Sequence, residues 1–429
     1  MPRLGDWEFA VRALRSRNYR LFFGGQSVSL VGTWMTRIAT AWLVYRLTRS
    51  PFLLGLVSFA GQIPMFFVAP LAGVWVDRWD RHRVLVITQI LSMLESFALA
   101  GLALSGVIQV WEVIGLVVFQ GLVNAFDMPA RQAFVVQMVE DRTDLSNAIA
   151  LNSSMVNVAR LVGPAVAGGL IAAAGEGYCF LIDGISYLAV IGSLLAMRIR
   201  VQPARPKGKR AWLELREGWT YASRSVPIRS ILLLLALVSF VGMPYTVLMP
   251  VFASQVLRGG ANTLGFLMTS VGVGALASAI TLAARRSVLG LGRMIPLSAA
   301  IFGAALIAFA SSRVFPVSMV LLLFTGYGFL QQMAASNTIL QTIVAEEKRG
   351  RVMAFYSVAF QGVAPFGSLL AGAVAARIGA PETLACGGAL CVLGAAWFAR
   401  RLPEIRRAVR PIYVEMGILP AAVHTSPEQ

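Results

Sequence analysis

The sequence predicts an all-α membrane protein of twelve transmembrane helices in two six-helix bundles, and three observations carry the prediction. Hydrophobic residues make up 57% of the 429-residue chain and charged residues only 13%, with a mean hydropathy of +0.71. That balance lies outside the soluble globular range. The apolar residues fall into twelve runs near the roughly 20 residues that a spanning helix needs. Lys and Arg crowd into every second loop, the pattern of cytoplasmic segments.

The first six spans read as 21–45, 53–76, 84–106, 110–129, 146–173 and 177–197. The second six read as 230–253, 264–284, 292–311, 314–336, 352–376 and 381–400. Basic loops occupy 12–20, 78–83, 131–142, 198–229, 285–293, 348–351 and 400–410. The alternate loops are nearly bare, with Arg46, Arg49, Glu112, Glu176, Arg258, Arg313 and Glu382 as the exceptions. Both termini are therefore expected in the cytoplasm, on a multi-pass protein of the inner (plasma) membrane. The net charge of +17 is explained by these loops, which form no face for reading RNA or DNA. No nucleic-acid partner is expected.

Four segments follow: a bundle at 1–200, a linker at 201–229, a second bundle at 230–401 and a tail at 402–429. The linker opens rich in Pro and Lys and turns amphipathic, with Trp212, Leu215 and Trp219 at i, i+3 and i+7. It reads as a helix lying on the inner leaflet. Arg406, Arg407 and Arg410 stand near Ile405, Ile412 and Tyr413, so the tail is expected to rest on anionic lipid. The N-terminus shows no cleavable signal pattern. Cys179, Cys386 and Cys391 offer neither ligand spacing nor a disulfide framework.

The two halves repeat one another. An offset of 204 residues relates Gln137 to Gln341, Ser153 to Ser357, Gly168 to Gly372 and Gly175 to Gly379. An offset of 210 relates Leu54-Gly55 to Leu264-Gly265 and Arg83 to Arg293. The matches run into the polar loops, where hydrophobicity alone does not force them. A parallel repeat of six spans about a basic linker is an architecture in which two bundles rock around a midplane site.

The first charged loop, Gly73-x-x-x-Asp77-Arg78-x-x-Arg81, resembles the signature between spans two and three of the major facilitator superfamily. It departs at Asp80, where glycine is usual, and at His82, where a second Lys or Arg is usual. Asn124-Ala-Phe-Asp127-Met-Pro129-Ala-Arg131-Gln132, Asn147-Ala-Ile-Ala-Leu-Asn152 and Ala159-Arg160-Leu-Val-Gly163-Pro164 are similar to the enterobactin-exporter-like and macrolide-efflux-like branch. The resemblance covers residues 15 to 419. It implies that Asp77 faces the N-terminus of span eleven, near Arg351, where unpaired N–H groups favour an anion by ~0.3–1 kcal/mol. Arg78 and Arg81 are expected to pair with Asp127, with Arg131 one turn beyond. Gly73, Asp77, Arg78, Arg81, Asp127 and Arg131 thus form an expected conformational latch; a solvated loop that only fixes topology is the alternative. The matching loop of the second half, 285–293, has arginines and no acid. Gly163-Pro164-x-x-x-Gly168-Gly169 resembles the proline-glycine signature of exporting antiporters, which favours export. Gly163, Pro164, Gly168 and Pro365 are the expected packing and gating positions, with simple tight packing an equal account.

Charges within spans are costly unless paired or facing water. Arg37 lies deep in span one, Glu95 midway along span three, Arg160 midway along span five and Asp183 two turns into span six. The resemblance places spans three and six outside the cavity, so a structural ion pair is the favoured reading for Glu95 and Asp183. Arg37 belongs to a cavity-lining span, with Trp34 one turn away as a cation–π partner. Arg37, Glu95, Asn124, Asn152, Arg160, Gln331, Asn337 and Gln361 are the substrate or proton-coupling candidates. Amides with Met249, Met268, Met333 and Phe360 suit bulky amphiphilic molecules. The arginine that the superfamily often carries in span four is Val117 here, and Arg37 or Glu95 is the candidate substitute.

The expected function is proton-coupled export of a small amphiphilic, drug-like or siderophore-like compound by alternating access. The alternatives are an importer of a sugar or metabolite, and a sensor or scaffold that does not transport. The expected partners are the substrate, protons and the lipid bilayer, with the chain a monomer. No nucleophile–base pair, metal cluster or phosphate-binding loop is present in the sequence, so no enzyme, metal or cofactor is expected.

Overall fold

The computed structural model describes residues 12–76, 78–139, 141–198, 211–285 and 287–420. The first bundle holds α1 (Arg17–Thr48), α2 (Pro51–Val76), α3 (Arg81–Leu104), α4 (Val110–Met138), α5 (Leu145–Ala174) and α6 (Glu176–Leu195). A linker helix, Ala211–Arg224, leads to the second bundle. There α7 is Val226–Val256, α8 Ala261–Ala283, α9 Leu291–Ser311, α10 Phe315–Ile343, α11 Glu346–Ile378 and α12 Ala380–Glu415. Eleven of these twelve are long and apolar enough to cross a membrane. The twelfth is α1, 32 residues long, whose arginines lower its hydropathy; packing on α5 and α6 completes the first bundle.

Several helices outrun their apolar cores. α4 continues to Met138, α10 to Ile343 and α12 to Glu415, while α11 begins at Glu346. The hydrophobic pattern ends where charges begin, but the i to i−4 hydrogen bonding of the backbone does not. The tail segment that was expected on the lipid surface is therefore, as far as Glu415, the end of α12. In the linker helix, Trp212 and Leu215 lie outside the described side chains. Trp219 sits 5.7 Å from Phe355 of α11, ring to ring. Glu217 accepts a 2.6 Å hydrogen bond from Arg351, and Lys348 stands 4.5 Å over the Tyr221 ring. The linker is thus fastened to the start of α11.

Within the bundles α1 packs on α6, α3 on α6 and α2 on α4; their counterparts are α9 on α12, α8 on α10 and α7 on α12. Two main pairings join the bundles, α2 with α11 and α5 with α8, and α7 touches α1 and α2 more lightly. Both main pairings rest on glycine against glycine. A Cβ on Gly55 would stand 3.0 Å from the Gly372 Cα, and one on Gly168 would stand 2.9 Å from the Gly265 Cα. Real side chains do not fit at such separations, so the backbones meet directly. The offsets in the sequence explain the pairing: each seam joins one glycine of the 204 class to one of the 210 class, once in each direction.

Both seams lie toward the end with bare loops, which we term the bare end. Its turns are tight. Arg49 (φ 52°), Gly106 (73°), Gly175 (93°), Arg258 (54°) and Gly379 (100°) all adopt left-handed backbone there. Gly175 and Gly379, repeat equivalents, also have ψ of 170° and 154°, a region that only glycine enters readily. Two bare-end arginines are tied down. Arg46 holds Glu176 through bonds of 2.8 and 3.3 Å, and Arg49 reaches Ser254 of the other bundle at 3.2 Å.

At the basic end Arg12 pairs with Asp144, and Tyr19 donates to the Ala148 carbonyl at 2.7 Å. The two departures from the loop signature have local tasks. Asp80 caps α3, accepting from the His82 N–H at 2.9 Å, and the His82 ring bonds the Leu194 carbonyl at the end of α6 at 2.8 Å.

Three wide, π-helical turns interrupt the second bundle: Val238–Gly242 and Phe252–Val256 in α7 and Val358–Gly362 in α11. Two of them run into Pro244 and Pro365, which lack the N–H that a regular turn uses. The N–H groups of Met243 and Val363 reach back five residues instead, at 3.1 and 3.2 Å.

Replacing Gly168 or Gly372 by Val is expected to force the seams apart, at an overpacking cost of about 1–3 kcal/mol. An engineered Ser254→Cys should then be labelled several-fold faster from the bare end. Unchanged labelling would show that the seams do not hold that end closed.

Candidate functional site

The polar residues of α3 fall on one stripe. Thr88, Gln89, Ser92, Glu95 and Ser96, at i, i+1, i+4, i+7 and i+8, are all buried. A spanning helix tolerates such a stripe only where neighbouring helices supply partners. Nearest the basic end, Asp127 of α4 accepts from Thr88 at 2.9 Å and Gln89 at 2.7 Å and pairs with Arg131. One turn on, Gln120 donates to Ser92 at 3.0 Å and to Asn124 at 3.4 Å. At midspan Ser96 lies 3.1 Å from Asp183 Oδ2 and 3.4 Å from Glu95 Oε2.

The ion pair expected for Glu95 and Asp183 is not what forms. Among the described residues neither meets a cation; the two carboxylates share the Ser96 hydroxyl instead. Asp183 also accepts from Thr36 of α1 at 2.8 Å. Gly32 makes room for this, because a Cβ there would stand 2.8 Å from the Ser186 Oγ and 3.1 Å from the Asp183 Cα. Asp183 Oδ1 is buried with no hydrogen-bond donor. The sequence reading missed Thr36, Thr88, Gln89, Ser92 and Ser96, although their helical period marks the stripe.

The next residue of α1 faces elsewhere. Arg37 stands 4.8 Å over the Trp34 ring, and Arg160 of α5 stands 5.2 Å from the same ring. Gly163 gives Trp34 its place, since any Cβ on Gly163 would collide with the Trp34 Cβ. Pro164, also buried, turns its carbonyl toward Gly265, 2.7 Å from where a Cβ would be.

The remaining candidates divide. Asp77 lies outside the described residues. Arg78 is exposed, Arg81 opens α3, and the described cation on Asp127 is Arg131 of its own helix rather than either of them. Gly73 has open space where a Cβ would stand, so close approach is not its role here. The start of α11, expected near Arg351, is at Glu346; Glu346 and Glu347 fill its first turn. Gln331 is fully buried and accepts from Ser278 of α8 at 2.8 Å, so it ties α10 to α8. Asn337 accepts from Gln341 at 3.0 Å. Asn152 is half-buried and Gln361 exposed. Pro365 is buried beyond the wide turn of α11. No cluster able to hold a metal occurs among the described residues.

Two six-helix bundles, seamed by glycines and with a charged, polar core in one half, define a transporter of the major facilitator superfamily. The chain belongs to its transmembrane secretion effector family, whose model matches residues 9–413. It is 26% identical to the staphyloferrin A transporter of Staphylococcus aureus, across 90% of this chain and 97% of that one. It is also 26% identical to the multidrug efflux pump Tap of Mycolicibacterium fortuitum, across 89% and 95%. Macrolide efflux protein A of Streptococcus pyogenes matches at 26% across 56% of this chain and 61% of that one. Among solved structures, a bacterial homolog of the human lysosomal transporter Spinster, inward-facing and unoccupied, superposes with a TM-score of 0.70 at 14% identity, covering 92% and 98%. A peptide transporter superposes at 0.73 and 11% identity, covering 91% and 95%. These relatives are transporters and not enzymes.

Asp127→Ala leaves Arg131 unpaired and strips an acceptor from Thr88 and Gln89. The expected loss is on the order of 3 kcal/mol, read as a lowered unfolding midpoint in detergent. Asp127→Asn, which keeps an acceptor, should lose less.

Proposed function

We propose that this protein is a proton-coupled exporter of small amphiphilic compounds, working as a monomer by alternating access in the plasma membrane with both termini cytoplasmic. The observation that carries this reading is the Glu95–Ser96–Asp183 cluster. Two carboxylates buried about one hydroxyl without a cation are stable together only if one of them carries a proton. The second bundle offers no rival, because no Asp or Glu occurs between Glu217 and Glu346.

The path of coupling runs through α1. Thr36 touches the carboxylate pair, and the neighbouring Arg37 stands over Trp34, whose ring Arg160 of α5 shares. A change in the charge of the pair alters the Thr36 hydrogen bond and so bears on how α1 sits. The arginine-rich loops set the basic end toward the cytoplasm. With the glycine seams closed at the bare end, cargo enters from the cytoplasmic side in this conformation. Export, rather than import, is the direction named in the multidrug and macrolide relatives.

In inverted vesicles with an acidified lumen, adding a transported dye, macrolide or siderophore should release protons from the lumen. Glu95→Gln should abolish that release at unchanged expression. Silence across all three compound classes counts against the exporter; a wild-type signal from the variant removes the carboxylate pair from the mechanism.

A further inference from the structure

Arg37 and Arg160 remain unexplained by proton coupling. They come from different helices, share the Trp34 ring and, among the described residues, have no carboxylate partner. They lie close enough to repel each other. The Arg160 Nε is buried without any hydrogen-bond partner. The deep acids of the first bundle, Glu95 and Asp183, are engaged with Ser96 and Thr36, and α7 to α10 contain no acid.

The pair lies away from the exposed valines of its helices. On α5 these are Val158, Val162 and Val166, four residues apart. Arg160 is two residues from Val158 and from Val162, about 200° around the helix at ~100° per residue, so it points to the opposite side. On α1 the exposed Val28 is nine residues from Arg37, which again sets Arg37 on the far face. Arg37 is itself exposed, with Trp34 against its guanidinium. The second bundle borders the site. Tyr245 of α7 lies within electrostatic reach of Arg160, and the Arg160 carbonyl is 3.4 Å from where a Gly272 Cβ would stand.

We propose that Arg37 and Arg160, braced on Trp34, form a binding site for an oxyanion, so that the cargo is an amphiphile carrying a carboxylate or phosphate. Two guanidiniums offer forked N–H donors that match either group bidentately. The ring between them holds both cations by their faces while leaving their edges free to donate. An anion here removes the mutual repulsion, and an aromatic or apolar body finds Trp34 beside it. Because α7 and α8 border the site on α1 and α5, it stands at the junction of the two bundles. The proposal rests on the transporter reading and names the charge of its cargo.

The test is equilibrium binding to the full-length protein in nanodiscs, corrected with empty discs. The probes share one ring: 2-naphthoate, 2-naphthyl phosphate and 2-naphthylmethylammonium. One or both anions should bind and the ammonium should not; which anion binds more tightly separates the carboxylate class from the phosphate class. Arg37→Gln and Arg160→Gln should each weaken anion binding about tenfold or more, the loss of a charge-assisted hydrogen bond. Arg37→Lys and Arg160→Lys, which keep the charge but not the fork, should weaken it less and serve where the Gln variants do not fold. Equal binding of the ammonium, no binding of either anion, or anion binding that survives the substitutions overturns the site. No gradient is involved, so a result against export in vesicles leaves this measurement independent, and the reverse holds as well.

Discussion

Gly55 against Gly372 and Gly168 against Gly265 set how the two bundles meet. A side chain at any of these positions would hold the helices apart, and with them α2 from α11 and α5 from α8. The two contacts are one contact made twice, because duplication of the six-helix unit placed complementary glycines on opposite partners. Closure of the bare end follows from this, and the tight left-handed turns stand at the same end. Away from that end, Gly272 against Leu161 and Gly362 against Phe66 carry the contact toward midspan.

The duplicated halves have since diverged in content. The first bundle holds the polar stripe of α3, the Asp127–Arg131 pair, the two acids around Ser96 and the arginines on Trp34. The second is aromatic: Phe252 stacks on Phe309 at 4.7 Å, Tyr245 meets Phe302 edge-on at 6.1 Å and Phe302 lies tilted against Phe329 at 5.6 Å. Ionic chemistry is concentrated in one half and apolar surface in the other. α1 links the acids to the arginines, since Thr36 and Arg37 send consecutive side chains to the carboxylate pair and to the Trp34 ring beside Arg160.

Much of this was legible in the residues. Span positions follow from hydrophobicity, and the repeat offsets of 204 and 210 marked these glycines as repeat equivalents without saying which would meet. Trp34 and Arg37, three residues apart, were readable as a helical pair; Asp127 was instead expected to meet Arg78 and Arg81, although Arg131 four residues on is its partner. What periodicity in one helix does not contain is the identity of the facing helix. Glu95 therefore invited an ion pair, while its true neighbours are another acid and a serine contributed by its own helix. Arg160 was legible as a charge in a span, but its place beside Arg37 depends on Gly163 admitting Trp34 between α1 and α5. Gln331, read as a cavity amide, is consumed in joining α8 to α10.

The wide turns of α7 and α11 have a consequence for how those helices present their surfaces. Each inserts one residue into the helical count, which advances every later side chain by about 100°. α7 contains one such insertion between its two helical segments, Val226–Leu237 and Tyr245–Val251, and closes on a second wide turn at Phe252–Val256. The face that Leu234 and Leu235 share is therefore not continued by the same heptad positions beyond Gly242. In the first bundle α1 and α5, the counterparts of α7 and α11, run without interruption. One half of the duplicated fold thus keeps a single register through the membrane, while the other changes register inside it.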